Sequence, residues 1–182
     1  MPSIHFATFD TAIGPCGIAW GERGVVGVQL PGKDKAATRA RLRRRHPGAA
    51  ESEPPLSVRQ AIDEIVALLR GERRDLCAIR LDMEHVQPFE RRVYELARAI
   101  PPGQITTYGE LAKRLGDPSA AQAVGAAMGR NPFPIVVPCH RVVGAGTRLG
   151  GFSAPGGVKT KRRMLAIEGS PAAGTPDLFE MN

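Results

Sequence analysis

Glycine and proline cut this chain into short pieces. Gly14-Pro15, Pro47-Gly48, Pro101-Pro102-Gly103 and Gly116-Asp117-Pro118 each stop a periodic pattern, since proline lacks a backbone donor and glycine tolerates the angles that end helices. The core therefore has to be assembled from several short elements. The first 30 residues read as β. Ile4 to Phe9, Gly17 to Trp20 and Val25 to Leu30 make an antiparallel meander, the last two strands joined by Gly21-Glu22-Arg23-Gly24. Asp34 can cap a helix running to about His46. Arg39, Arg41, Arg43, Arg44 and Arg45 crowd that helix, which suits either a phosphate-facing patch or a solvated face. Ser57 can cap a second helix whose stripe is Val58, Ala61, Ile62, Ile65, Val66 and Leu69, with Gly71 as its stop. Leu76 to Leu81 suggests a further strand, and Met83 to Pro88 a linker.

Beyond the linker the pattern turns helical. Phe89, Val93, Leu96, Ala97 and Ile100 recur at helical spacing. Thr107 and Glu110 have capping-box spacing and open a helix from Tyr108 to about Leu115. Asp117-Pro118 opens another, Ser119 to about Gly129. Two short helices across a Gly-Asp-Pro turn make a helix-turn-helix candidate. The second is nearly bare, with Ala120, Ala121, Ala123, Gly125, Ala126, Ala127 and Gly129. Such a helix packs closely on a neighbour, or enters the minor groove of DNA, which is too narrow for a bulky face. It has few side chains able to read base edges, which argues against a transcription factor in the major groove. The expected fold is α+β, with units over 1–85 and 86–171 and a tail over 172–182.

The chain has 182 residues and a formal charge of +7. The part beyond His85 holds 12 basic and 7 acidic residues, so the excess concentrates there. A basic balance favours a polyanionic partner, and an inert basic surface is the plain alternative. No apolar stretch is long enough to span a membrane. Three cysteines, Cys16, Cys77 and Cys139, with no export signal at the start, predict reduced thiols and a cytoplasmic location.

The chemistry concentrates in Ile135-Val136-Val137-Pro138-Cys139-His140-Arg141-Val142-Val143. A thiol, an imidazole and a guanidinium stand together where Pro138 ends an apolar run. Cationic neighbours lower a cysteine's pKa, and the thiolate is the nucleophile. The alternative is an inert cysteine buried at a strand end.

Residues 89 to 169 resemble the catalytic domain of the O(6)-alkylguanine-DNA alkyltransferases. The matching stretches are Thr107-Tyr108-Gly109-Glu110-Leu111-Ala112, Ala123-Val124-Gly125 through Asn131-Pro132, Pro134 through Val143 with its Pro-Cys-His-Arg core, and Lys161 through Glu168-Gly169. The resemblance of residues 1 to 85 is weaker and implies an RNase H-like amino-terminal domain. The resemblance implies a monomer that binds double-stranded DNA in the minor groove, flips out the alkylated guanine, and moves the alkyl group to Cys139 in a single turnover. It implies that His140 acts through a water as base and that Glu168 orients it. Asn131 would brace the active-site turn, Tyr108 would press on a phosphate, and Met128 would lie on the flipped base. Backbone groups at Cys139 and Val142 would read the guanine edge, and Ser153 would meet the alkylated oxygen. Ala120, Ala121, Gln122, Ala123, Gly125, Arg141 and Phe152 complete the expected DNA-binding set.

Three departures stand out. Gln122 occupies the position of the family's usual arginine, which fills the vacated base stack, so flipping should be weaker or the lesion preference different. Phe152 replaces a common tyrosine and removes a hydroxyl donor. The loop Phe152-Ser153-Ala154-Pro155-Gly156-Gly157 is two residues longer than usual. Cys16 and Cys77 do not fall at the zinc-binding positions of some relatives, so no metal and no cofactor are expected, and both cysteines read as small core residues. The runner-up is a DNA-lesion protein that flags alkylated guanine without transfer. Relatives of that kind lack the cysteine, and this chain has it.

Overall fold

The meander forms as β1 (His5–Thr11), β2 (Gly14–Gly21) and β3 (Gly24–Gln29). The computed structural model describes residues 3–147 and 149–174, so most of the expected tail, 175–182, lies outside the described residues. β1 pairs antiparallel with β2 from His5–Trp20 to Thr11–Gly14, and β2 with β3. A two-residue β4 (Ala50–Glu51) adds to β1 in parallel, giving the order β3-β2-β1-β4.

Alternation along β2 decides what lies on each face. Cys16, Ile18 and Trp20 enter the main core, whereas Ala19 packs with Phe6 and Leu42 on the other side. Leu42 belongs to α1 (Lys35–Arg45), which Asp34 caps by accepting a 2.8 Å bond from the Ala37 N–H. A Cβ at Gly17 would lie 2.3 Å from Leu42 Cδ1, so glycine sets how closely α1 lies on the sheet. α2 (Leu56–Leu69) buries Val58, Ala61, Ile65, Leu68 and Leu69 in the main core. It begins before Ser57: Pro55, whose fixed φ suits a helix entry, occupies the cap position without a side-chain bond.

The strand expected at Leu76 to Leu81 does not form. The guanidinium of Arg98 takes the carbonyls of Leu76, Cys77 and Ile79 at 2.8–3.0 Å, and the segment turns on the Ile79 N–H to Leu76 bond. Leu81 makes a single bridge to Val25. Cys16 is buried as expected, but Cys77 is exposed.

Arg98 ends α3 (Pro88–Arg98). There follow β5 (Thr106–Thr107), α4 (Tyr108–Arg114), α5 (Ala121–Gly129), β6 (Val142–Val143) and α6 (Val158–Ile167). Half of the predicted capping box is made. Thr107 Oγ1 accepts from the Glu110 N–H at 3.1 Å, while the Glu110 carboxylate pairs with Lys113 at 2.8 Å. α5 starts at Ala121 because Pro118–Ala120 coils as a separate tight turn, with Asp117 accepting from the Ser119 N–H. The buried Tyr94 hydroxyl donates to Ala127 at 2.8 Å, tying α3 to α5. One apolar core runs through both halves of the chain, and the β3 edge reaches the second half where the Val28 N–H donates to Pro132 at 2.9 Å. Among the described residues no helix is long and apolar enough to cross a membrane.

Candidate active site

The apolar run before Cys139 does not form a strand, although β-branched residues favour one. Asn131, just past α5, clamps both ends of the loop. Its Nδ2 donates to Val137 and its Oδ1 accepts from the Phe133 N–H, both at 2.9 Å. Between them Ile135 takes a φ of 77°, a costly angle for a β-branched residue. Its side chain is fully packed, so the surrounding core holds that angle. Pro138 then admits a single tight turn, Cys139–Arg141, which runs straight into β6. β6 pairs in parallel with β5, Thr106 with Val142 and Thr107 with Val143. Tyr108 starts on one side of that pairing and Cys139 ends on the other, so two residues far apart in sequence meet.

They meet in a cavity of about 870 Å³. Cys139, Tyr108, Gly125, Met128, Asn131, Phe152 and Ser153 of the predicted set line it. Ser153 Oγ donates to the Gly129 carbonyl at 2.8 Å.

Behind the sulfur lies a buried ionic cluster. His140 Nε2 sits 2.7 Å from Glu168 Oε1. Arg141 forks onto the same carboxylate, Nε to Oε2 at 2.9 Å and an Nη to Oε1 at 2.7 Å, and its other Nη donates to the Ile100 carbonyl at 2.7 Å. The Gly103 N–H adds a 3.3 Å bond to Oε2. Burial alone would raise the Glu168 pKa, but the bonds from His140 and Arg141 outweigh it and bring it down to about 2. An ionised carboxylate only accepts, so Nε2 must be the protonated nitrogen of His140. Nδ1 therefore carries the lone pair, and it is buried with no partner among the described residues. Burial lowers the His140 pKa against the pull of Glu168, which keeps the ring neutral. The cluster thus holds one ring nitrogen of His140 and, among the described residues, leaves the other unbonded.

Lys161 was not among the predicted site residues. It lines the cavity, is almost wholly buried, and donates from Nζ to the Val142 carbonyl at 2.7 Å. Its ammonium lies 6.0 Å from the Tyr108 ring centroid and 5.9 Å from that of Phe152. Burial brings its pKa down to about 8, and the Cys139 charge pulls the other way. A signal was present: Lys161 stands three and four residues before Met164 and Leu165, so a cation sits on the apolar stripe of α6.

The electrostatics of Cys139 differ from the expectation of a simply lowered pKa. Burial pushes the thiol up. The Asn131 amide, the Lys161 charge and the backbone N–H groups of Cys139 and His140 pull it back. Arg141 is turned inward on Glu168, away from a DNA-facing role for its side chain. Val142 is buried, its N–H donating to Cys139 and its carbonyl taken by Lys161. Gln122 and Ala123 are exposed on the outer face of α5, with Ala120 and Ala121 half-buried at its start. Among the described residues no group of three His, Cys, Asp or Glu side chains is placed to hold a metal.

Residues 88–170 match the 6-O-methylguanine DNA methyltransferase DNA-binding domain. The methylated-DNA–protein-cysteine methyltransferase of Mycobacterium tuberculosis is 35% identical over 180 residues, covering 97% of this chain and 99% of that protein. The Salmonella typhimurium protein of the same name is 55% identical over 82 residues, 45% of this chain and 47% of that one. A crystal structure of Mycobacterium tuberculosis OGT in complex with DNA superposes with a TM-score of 0.71 at 33% identity, covering 93% of this chain and 96% of the other.

Proposed function

The chain belongs to the methylated-DNA–protein-cysteine methyltransferases, which makes it a DNA-repair alkyltransferase, and we propose that Cys139 is the acceptor of an alkyl group from O(6) of guanine. One observation carries this reading. Cys139 lines a cavity of about 870 Å³, and the next residue, His140, is held through Nε2 by Glu168 while its Nδ1 has no partner among the described residues.

The arrangement supports the following steps. His140 Nδ1 takes the Cys139 proton through one water, because adjacent side chains seldom touch directly. The carboxylate of Glu168, held in turn by Arg141, keeps the proton on Nε2 and so keeps Nδ1 basic. Lys161 supplies the cation beside the thiolate. The thiolate attacks the alkyl carbon, a C–S bond forms, and the C–O(6) bond breaks with its electrons passing to guanine. The guanine anion then takes a proton. Phe152 has no hydroxyl to give, and the Ser153 hydroxyl is committed to Gly129, whereas Tyr108 and Lys161 line the same cavity as Cys139 and each carries a proton to give. The thioether has no good leaving group, so each molecule acts once.

For DNA, we read α4, the Pro118 turn and α5 as a helix-turn-helix, and the amino-terminal sheet as RNase H-like. The outer face of α5, with Gln122, Ala123, Ala126 and Gly129 exposed, is slim enough for a minor groove of roughly 6 Å. Extruding the damaged base costs a few kcal/mol, less when the lesion has weakened pairing. Met128 and Tyr108 then meet its faces, and Asn131 keeps the loop in register.

The test is a duplex carrying O(6)-methylguanine, incubated with reduced protein and followed by intact mass and peptide mapping. A methyl adduct on the peptide containing Cys139 is expected. Tight binding with no adduct, or an adduct on Cys16 or Cys77, overturns the assignment.

A further inference from the structure

The carboxyl end of α1 carries charge that the fold does not use. Arg39 and Arg43 share Glu51, at 3.0 and 3.6 Å, and Arg43 also lies 5.8 Å over the Phe6 ring. Arg41, Arg44 and Arg45 have no hydrogen bond, ion pair or ring contact among the described residues. They also crowd one another, since burial first, and then Arg41 and Arg44, disfavour the charge on Arg45. A helix dipole rewards cations in the last turn, but Arg41 lies before that turn. Nor does the dipole explain why Arg45 and His46 line the cavity that holds Cys139, as the amino-terminal share of its wall with Gln29 and Leu30.

The position of this cluster is fixed relative to the reactive sulfur. A Cβ at Gly27 would lie 2.8 Å from His46 Nε2, so the bare glycine lets His46 seat on β3. The next residue, Val28, donates to Pro132, beside the clamp residue Asn131. The end of α1 is thereby tied to the active-site loop.

We propose that Arg41, Arg44 and Arg45 bind backbone phosphates of the DNA whose flipped-out guanine fills the cavity, so the amino-terminal unit contributes a second DNA contact. This rests on the transferase reading above. Guanidinium groups without carboxylate partners match phosphates in charge and in fork geometry. A cluster set at the cavity wall meets the strand that feeds a base into it.

The experiment compares two substrates. One is a duplex with O(6)-methylguanine. The other is the free base O(6)-benzylguanine, whose benzylic carbon is reactive toward a thiolate and which has no phosphate. The variant is R41Q/R44Q, which leaves the cavity-lining Arg45 in place, with R59Q/R70Q as a charge-matched control on exposed arginines. Each lost phosphate contact should flatten log K against log salt by about 0.9. We expect the variant to bind the duplex more weakly with a slope reduced by roughly 1 to 2, while its rate with the free base stays within twofold. The control should keep its slope. An unchanged slope in the variant, an equal drop in the control, or an equal loss of rate on the free base overturns the proposal. If the parent protein itself leaves Cys139 unalkylated on the duplex, the transferase reading fails instead, and the two failures remain distinct.

Discussion

Replacing Glu168 by Gln tests the site at its hinge. The carboxylate accepts from His140, twice from Arg141 and from Gly103, and its side chain is only 3% exposed. Breaking a buried pair of this kind costs ~3–5 kcal/mol. Against a typical net stability of ~5–15 kcal/mol, Glu168→Gln should still fold at neutral pH. The kinetic effect should be larger. Arg141 has donors only, so the new amide must turn its oxygen toward it and its NH₂ toward His140. Nε2 must then accept, which moves the ring proton to Nδ1, the nitrogen proposed above to take the Cys139 proton. The corresponding tautomer error in a serine protease triad costs ~10⁴ in rate, so a loss of roughly 10²- to 10⁴-fold is expected here. Glu168→Asp keeps the charge and the tautomer and should be less impaired. Raising the pH should narrow the gap for Glu168→Gln, because the thiol then ionises without a base. The assay is single-turnover methyl transfer, read by intact mass over a pH series, with circular dichroism melting to confirm folding. A cooperatively folded Glu168→Gln protein that transfers within threefold of the parent at neutral pH refutes this account.

Three further outcomes follow from the same geometry. The Glu168 pKa is about 2 when folded against an ordinary 4.5, so its stability is present above pH 4.5 and is lost as pH falls toward 2, ~3 kcal/mol in all. His140 is lowered from 6.5, so the unfolded chain takes that proton first and stability begins to fall below pH 6.5. Urea midpoints across this range check both, and a flat profile from pH 4.5 to 2 contradicts the ionic cluster. Lys161→Met should change stability by less than ~2 kcal/mol at neutral pH, since relief of the buried charge and loss of the bond to the Val142 carbonyl offset each other, yet slow transfer by roughly tenfold for each unit that the thiol pKa rises. Loss of stability with no loss of rate would make Lys161 merely structural. Gln122→Arg should speed repair of a duplex and leave reaction with free O(6)-benzylguanine unchanged, and equal effects on both substrates would remove Gln122 as a determinant of flipping.

Local patterns carried most of the fold. The meander, the Asp34 cap and the stripes of α2 and α3 follow from periodicities of two and 3.6. The misses share a cause, a tertiary partner that periodicity does not contain. At Leu76 to Leu81 the partner is Arg98, which takes the carbonyls a strand would have paired. At Phe133 to Pro138 it is the Asn131 side chain, which bends a β-branched run into a loop. The motif around Cys139 was legible from its residues, but not which neighbour acts on the sulfur. Adjacency suggested Arg141, whereas the fold turns Arg141 onto Glu168 and brings Lys161 from a helix 22 residues downstream. Adjacent residues in a tight turn point apart, so sequence neighbours of a nucleophile are often not its neighbours in space.

Burial at Cys139 first looks opposed to its chemistry, since it disfavours the thiolate that must attack. The balance changes once the product is considered. A methyl thioether is neutral and apolar, so the burial that opposes the anion favours the alkylated state. The base and Lys161 therefore need to stabilise the thiolate only while the alkyl carbon is in place. Transfer moves the site from a disfavoured buried charge to a favoured buried neutral group, and nothing in the cavity is built to return it. A catalyst with turnover would need a reactive centre that regains its charge cheaply, whereas a stoichiometric acceptor can use the same enclosure to drive the reaction in one direction.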